Sequence, residues 1–218
     1  MKRFFDAELE YYRSHIARML LLTHQQMQNA VAGLLERDHA KAEKVLELEK
    51  EVDHLDIEID NEAIRYLNLR APIASELRLI MAGSRMSHEF ERIGDEAKKI
   101  AKRALRTNTA YPDEFVSLFN EMYQLADSMF DDIHVMFSDA SYDKANPLIE
   151  RDTEIDIINK KIKGVLIASI EKNEIQITTG IELISCSRAL ERIGDHAKNI
   201  AEILVFLITG EDIREDLF

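Results

Sequence analysis

Helix breakers are scarce in this chain. Its 218 residues include three prolines, Pro72, Pro112 and Pro147, and seven glycines, scattered among Leu, Glu, Lys, Ala and Met. That composition favours long helices. A single cysteine, Cys186, excludes an internal disulfide framework and a cysteine-rich metal site. It suits a reducing compartment, where a lone thiol is expected simply to pack. The longest purely apolar run, Ile203 to Ile208, falls far short of the ~20 residues that cross a bilayer, so any membrane role is expected to be peripheral. The first residues carry positive charge but lack the apolar stretch of an export signal, which points to the cytoplasm. Basic charge is also in deficit, with 28 basic against 41 acidic residues and a net charge of -13. Such a surface repels phosphate backbones and argues against nucleic acid as a partner; hard cations or a basic protein surface fit better. Glycine-rich phosphate loops, nucleophile elbows and Ser, His, Asp constellations are missing as well, so the sequence reads as a non-enzyme.

What the chain does have is periodicity. From about Asp6 to Arg37, Ile16, Leu20, Met27, Val31 and Leu34 recur at helical spacing. After a predicted N-cap at Asp38, Val45, Leu48, Val52, Leu55, Ile59, Ala63 and Tyr66 form a second stripe, closed by Pro72. A third helix is predicted from Ala74 or Ser75 to about Thr107, with the stripe Met86, Phe90, Ile93, Ala97, Ile100 and Ala104. The polar run from Asn108 to Asp113 reads as a linker. Beyond it, Phe115 to Ser138 predicts a fourth helix, a fifth begins between Ser141 and Pro147, and a sixth runs from about Thr178 to Thr209 with Gly210 as its stop. Helices this long are held by packing of a whole face, and short loops make neighbours antiparallel. The expected fold is all-α, two tandem three-helix bundles over 1–108 and 109–218.

The halves announce themselves as copies. Glu91-Arg92-Ile93-Gly94-Asp95 returns as Glu191-Arg192-Ile193-Gly194-Asp195, and Ser87, Ala97, Lys98, Ile100 and Ala101 match Ser187, Ala197, Lys198, Ile200 and Ala201. Within each copy the acids stand four apart, one turn over the other on a single helix face. Helix two carries its own ladder, Glu49, Asp53, Asp56 and Asp60, echoed in helix five by Asp152 and Asp156 but then by Asn159 and Lys163. Like charges at these spacings oppose one another by ~0.2–0.5 kcal/mol per pair and need water, arginine or a cation to offset them. Both ladders border their apolar stripes, so packing two such helices brings four carboxylates together. Spacing alone leaves two readings open: a solvated acidic face, or a seam whose oxygen ligands suit hard or borderline ions such as Mg, Mn, Ca or ferrous iron.

Other features are given plainer roles. Arg92, a quarter turn from Glu91, is expected to reach a neighbouring helix or solvent, and Gly94 and Gly194 to allow close helix approach beside the acids. A di-iron oxidase would need Glu-x-x-His on two helices; Glu51 to His54 has no equal in the second copy, where Glu154 is followed by Ile157. His88 and His196 read as surface residues, His196 being near enough to Asp195 to be recruited. Lys98, Lys99, Lys102, Arg103 and Arg106 read as a basic helix end complementing its dipole.

The duplicated Glu-Arg-Ile-Gly-Asp, each copy followed by Ala-Lys-x-Ile-Ala, resembles the PhoU family, cytoplasmic regulators of bacterial phosphate uptake. Glu49 to Asp53, Pro72 to Met81, and Gly210-Glu211-Asp212-Ile213-Arg214 resemble further family elements, so the resemblance spans essentially the whole chain. It implies two three-helix repeats, negative regulation by contact with a phosphate ABC transporter ATPase and a sensor histidine kinase, and no catalysis. It further implies metal clusters, iron or zinc ahead of Mg or Mn, on Glu49, Asp53, Glu91 and Asp95 in one repeat and on Asp152, Asp156, Glu191 and Asp195 in the other. Because Asp56, Asp60 and Glu89 face Asn159, Lys163 and Ala189 in the second copy, the two sites are expected to differ. Oligomeric state stays open, a homodimer among the options. A metal-handling or metal-dependent hydrolytic bundle is the competing reading.

Overall fold

In the computed structural model, which describes residues 2–107 and 110–211 and leaves aside the side chains of 2–4, six helices account for nearly all of the chain. They are α1 Lys2–Leu35, α2 His39–Arg70, α3 Ala74–Ala104, α4 Asp113–Asp139, α5 Ala145–Glu171 and α6 Ile177–Thr209. No strand occurs among the described residues. The predicted linker includes residues 108 and 109, and the boundary between 1–108 and 109–218 falls there too, outside the described residues. Residues 212–214 of the closing motif also lie outside them.

The helix boundaries follow local chemistry. Asp38 caps α2 by accepting the Lys41 backbone N–H at 3.2 Å. The helix stops at Arg70, with Ala71 left-handed at φ 45° three residues ahead of the α3 start. Glu76 folds back to accept the Ile73 N–H at 3.0 Å, fixing the entry to α3. Pro147 sits in the first turn of α5, where its missing N–H costs no hydrogen bond. Gly210 closes α6 at φ 84°. The main departure from the sequence reading is α1, which starts at Lys2 instead of Asp6. Burial explains it: Phe5 and Leu9 join the core, and the Phe5 ring meets Tyr66 edge-on at 6.0 Å.

α1, α2 and α3 pack pairwise into one three-helix bundle, and α4, α5 and α6 into a second. Every residue of the three predicted stripes is buried, and the two bundles share one continuous apolar core. Between bundles the principal contact is α3 on α6, with a smaller one of α1 on α4. α3 and α6 run antiparallel: Glu89 meets His196, Glu96 meets Arg192, and Arg103 meets Glu182. Cys186 packs into this layer, 3 % exposed, with burial pushing its thiol up to about 12. Among the described residues, no helix is long and apolar enough to cross a membrane.

Candidate functional site

Packing α2 against α3 draws the two acidic ladders of the first bundle together. Glu49 is buried, Glu91 and Asp95 are half-buried, and Asp53 is exposed at the rim. Burial first, then the neighbouring charges of Asp53 and Asp95, push the Glu49 carboxyl above its usual range against the pull of Lys98. Glu91 is raised by burial and then by Asp95, with Asp56 and Asp53 adding to it. Each of these two glutamates therefore feels carboxylates of the facing helix, Asp95 in the case of Glu49 and Asp56 and Asp53 in the case of Glu91. Gly94 makes the approach possible, since a Cβ there would lie 3.0 Å from Gln26 Oε1 and 3.4 Å from Glu49 Oε2.

The second bundle repeats the arrangement with α5 and α6. Asp152 is buried, Asp156 and Glu191 are half-buried, and Asp195 stands at the rim, its side chain exposed but its carboxyl partly shielded by the seam. Burial raises the Asp195 carboxyl, followed by the charges of Asp152, Glu191 and Asp156. At Gly194 a Cβ would come within 3.0 Å of Ile155 Cδ1 and 3.7 Å of Asp152 Oδ1.

Each seam contains a lysine: Lys98, expected at the basic helix end, and its repeat counterpart Lys198. Lys98 Nζ lies 2.7 Å from Glu49 Oε1 and 3.4 Å from Asp95 Oδ1, joining α2 to α3. Lys198 Nζ lies 2.8 Å from Asp152 Oδ2. Lys98 thus serves the seam instead of the helix dipole; of the remaining basic end, Lys102 and Arg103 do stand in the last turn of α3, Lys99 binds Glu96 and Arg103 also binds Glu182. The signal for Lys98 was available in the sequence, because Asp95 and Lys98 are three apart on one face. A second missed residue is Gln26 of α1, fully buried, whose Nε2 donates to Glu49 Oε2 at 3.0 Å while its Oε1 has no hydrogen-bond partner among the described residues.

Arg92 is exposed to solvent as expected, with only a loose contact of Nε 3.6 Å from Glu91 Oε2, and its counterpart Arg192 crosses to Glu96 of α3 at 3.0 Å. The histidines depart further from expectation. His88 is exposed as expected but leans onto the ladder, 3.0 Å from Asp56. His196 lies between the bundles and turns to Glu89 at 2.7 Å, away from Asp195.

As to a metal, the donor chemistry fits: carboxylates in mutual range and, in the first seam, a buried amide oxygen with no hydrogen-bond partner among the described residues supply only oxygens, the ligand type of hard and borderline ions. As the side chains stand, no three His, Cys, Asp or Glu among the described residues converge on one ion position, and the lysines hold the inner carboxylates.

A six-helix, internally duplicated bundle with an acidic seam in each half defines the class of protein. The model of the PhoU domain matches residues 16–104 and again 119–204. The chain belongs to the PhoU family. It is 35 % identical over 212 residues to a phosphate-specific transport system accessory protein PhoU homolog of Pseudomonas putida, covering 96 % of this chain and 82 % of the relative. The crystal structure of PhoU from Pseudomonas aeruginosa superposes with a TM-score of 0.89 at 32 % identity, covering 95 % of this chain and 100 % of the other. The phosphate transport system regulatory protein PhoU from Streptococcus pneumoniae gives 0.84 at 27 % identity, covering 95 % and 98 %. Membership places the chain among non-catalytic regulators, which sets aside the hydrolytic reading.

Proposed function

We propose that this protein regulates phosphate transport and phosphate-responsive signalling by contact, acting in the cytoplasm as an adaptor between a phosphate ABC transporter ATPase and a sensor histidine kinase, peripheral to the membrane. The observation that carries the regulatory reading is the likeness in sequence and fold, over 95–96 % of this chain, to proteins named for that role. The net charge of -13 supports a basic protein surface as the partner's side of the contact.

On the same reading the two seams are the metal sites. Glu49, Asp53, Glu91 and Asp95 would hold one, and Asp152, Asp156, Glu191 and Asp195 the other, with iron or zinc ahead of magnesium or manganese. A bound ion would supply the positive charge that the carboxylates lack and would tie α2 to α3 and α5 to α6. The chain's own part is to hold these acids at the seam against their mutual repulsion, using the glycine notch and the core beneath it.

The adaptor reading is tested by affinity purification of the tagged protein from cells grown with and without phosphate. Phosphate-dependent recovery of the transporter ATPase or the kinase is expected. A deletion strain with unaltered phosphate-responsive gene expression would refute it. For the metal sites, Asp95→Asn and Asp195→Asn should each lower the metal content found by elemental analysis, and equal content in both variants and the parent would overturn the ligand assignment.

A further inference from the structure

The matched lysines of the duplicated block have a role that neither packing nor helix polarity explains. Lys98 takes Glu49 Oε1 and reaches Asp95, while Gln26 takes Glu49 Oε2, so both oxygens of the innermost carboxylate in the first seam are engaged. In the second seam Lys198 donates to Asp152 Oδ2, and no second donor to Asp152 is found among the described residues. Asp152 Oδ1 faces the Gly194 notch. Each ammonium stands on the carboxylate that an incoming cation needs, and each side chain is 30 % exposed, with its route outward unobstructed by full burial.

We infer that Lys98 and Lys198 are resident counter-cations that gate the two acidic seams, each ammonium swinging out to solvent when a divalent cation takes its carboxylates. This rests on the seams being the metal sites. A lysine provides one positive charge and a divalent ion two, so the exchange leaves the seam better neutralised and delivers a free ammonium to the surface. With no metal bound, the lysines keep α2 on α3 and α5 on α6, so the fold does not depend on metal. The gates are unequal. The first seam has two donors to displace from Glu49, the second has one on Asp152, so the second seam loads first.

The test uses the full-length chain stripped with chelator and titrated with Mn2+, free ion being followed by its electron paramagnetic resonance signal. Lys98→Met and Lys198→Met preserve the apolar stem and remove the competitor. Each is expected to tighten one class of Mn2+ site by about tenfold, the worth of one charge-assisted hydrogen bond. Both variants should also melt lower in chelator and recover with Mn2+. In the parent protein, which needs no substitution to fold, modification by an amine-reactive reagent should be slow at Lys98 and Lys198 in chelator and faster once Mn2+ is added, at Lys198 at the lower concentration. Mn2+ binding that is equal or weaker in the variants, or lysine labelling indifferent to Mn2+, would overturn the gate and leave the metal sites standing. Absence of binding by the parent and both variants would overturn the sites and the gate together.

Discussion

His24 Nε2 lies 2.7 Å from Asp127 Oδ1, linking α1 to α4 across the smaller contact between the bundles. The same oxygen accepts from Gln28 Nε2 at 3.0 Å and from the Tyr123 hydroxyl at 3.3 Å. One carboxylate thus gathers three groups, and His24 is further held by stacking on Phe130 at 4.8 Å. Replacing Asp127 by Ala strands a buried imidazole and two donors. A loss of about 1–3 kcal/mol is expected, read as a lower denaturation midpoint.

Beside this clasp, His134 lies 5.6 Å from His24, and its imidazole is held below the ordinary value of about 6.5, first by burial and then by the His24 charge, against the pull of Asp131. The folded protein therefore binds this proton less readily than the unfolded chain. Its stabilising contribution is complete above the ordinary histidine value and is lost as pH falls from there through the depressed one. Thermal unfolding from pH 7.5 downward should show a decline that is shallower in His134→Gln.

Within the first seam, two glutamates should respond with opposite sign in the presence of chelator. Glu91, raised by burial and by Asp95, has no lysine bond of its own. Glu91→Gln removes repulsion at a half-exposed position and should stabilise by about 0.2–0.5 kcal/mol. Glu49 is the shared acceptor of Lys98 and Gln26. Glu49→Ala should destabilise by about 1–3 kcal/mol. Guanidinium unfolding of both variants, with matched m-values, decides the matter.

Gly83 leaves room for α1 nearer the start of α3. A Cβ there would fall 2.5 Å from Tyr12 Cε1 and 2.6 Å from Ile16 Cδ1, both fully packed side chains. Tyr12 cannot easily retreat, because its hydroxyl donates to the Ile80 carbonyl at 2.8 Å. Gly83→Ala should cost about 1–3 kcal/mol despite its better helix propensity, which a thermal melt will reveal.

The helices and their buried faces were legible in the sequence because repetition at 3.6 residues is a local property; Val45 through Tyr66 could be read without knowing what they touch. The acid pairs were legible for the same reason. Gln26 was not, since a polar residue within an apolar stripe gives no hint of which helix it will meet. Lys98 was visible but misassigned: its place near a helix end suggested the dipole, and only the crossing of α2 and α3 reveals Glu49 as its partner. His196 needed still more, the antiparallel seating of α6 on α3, before Glu89 could be named.

That seating has a consequence for the relation between the halves. Its polar ties use positions at which the copies differ: Glu89 against Ala189, Glu96 against His196, Lys99 against Asn199. Pairing the first half with another first half would set Glu89 opposite Glu96, acid on acid, in the place that His196 now fills. Pairing two second halves would leave Ala189 opposite His196, with nothing to accept its proton. The charge pattern of this layer thus favours the pairing of unlike halves over that of like ones.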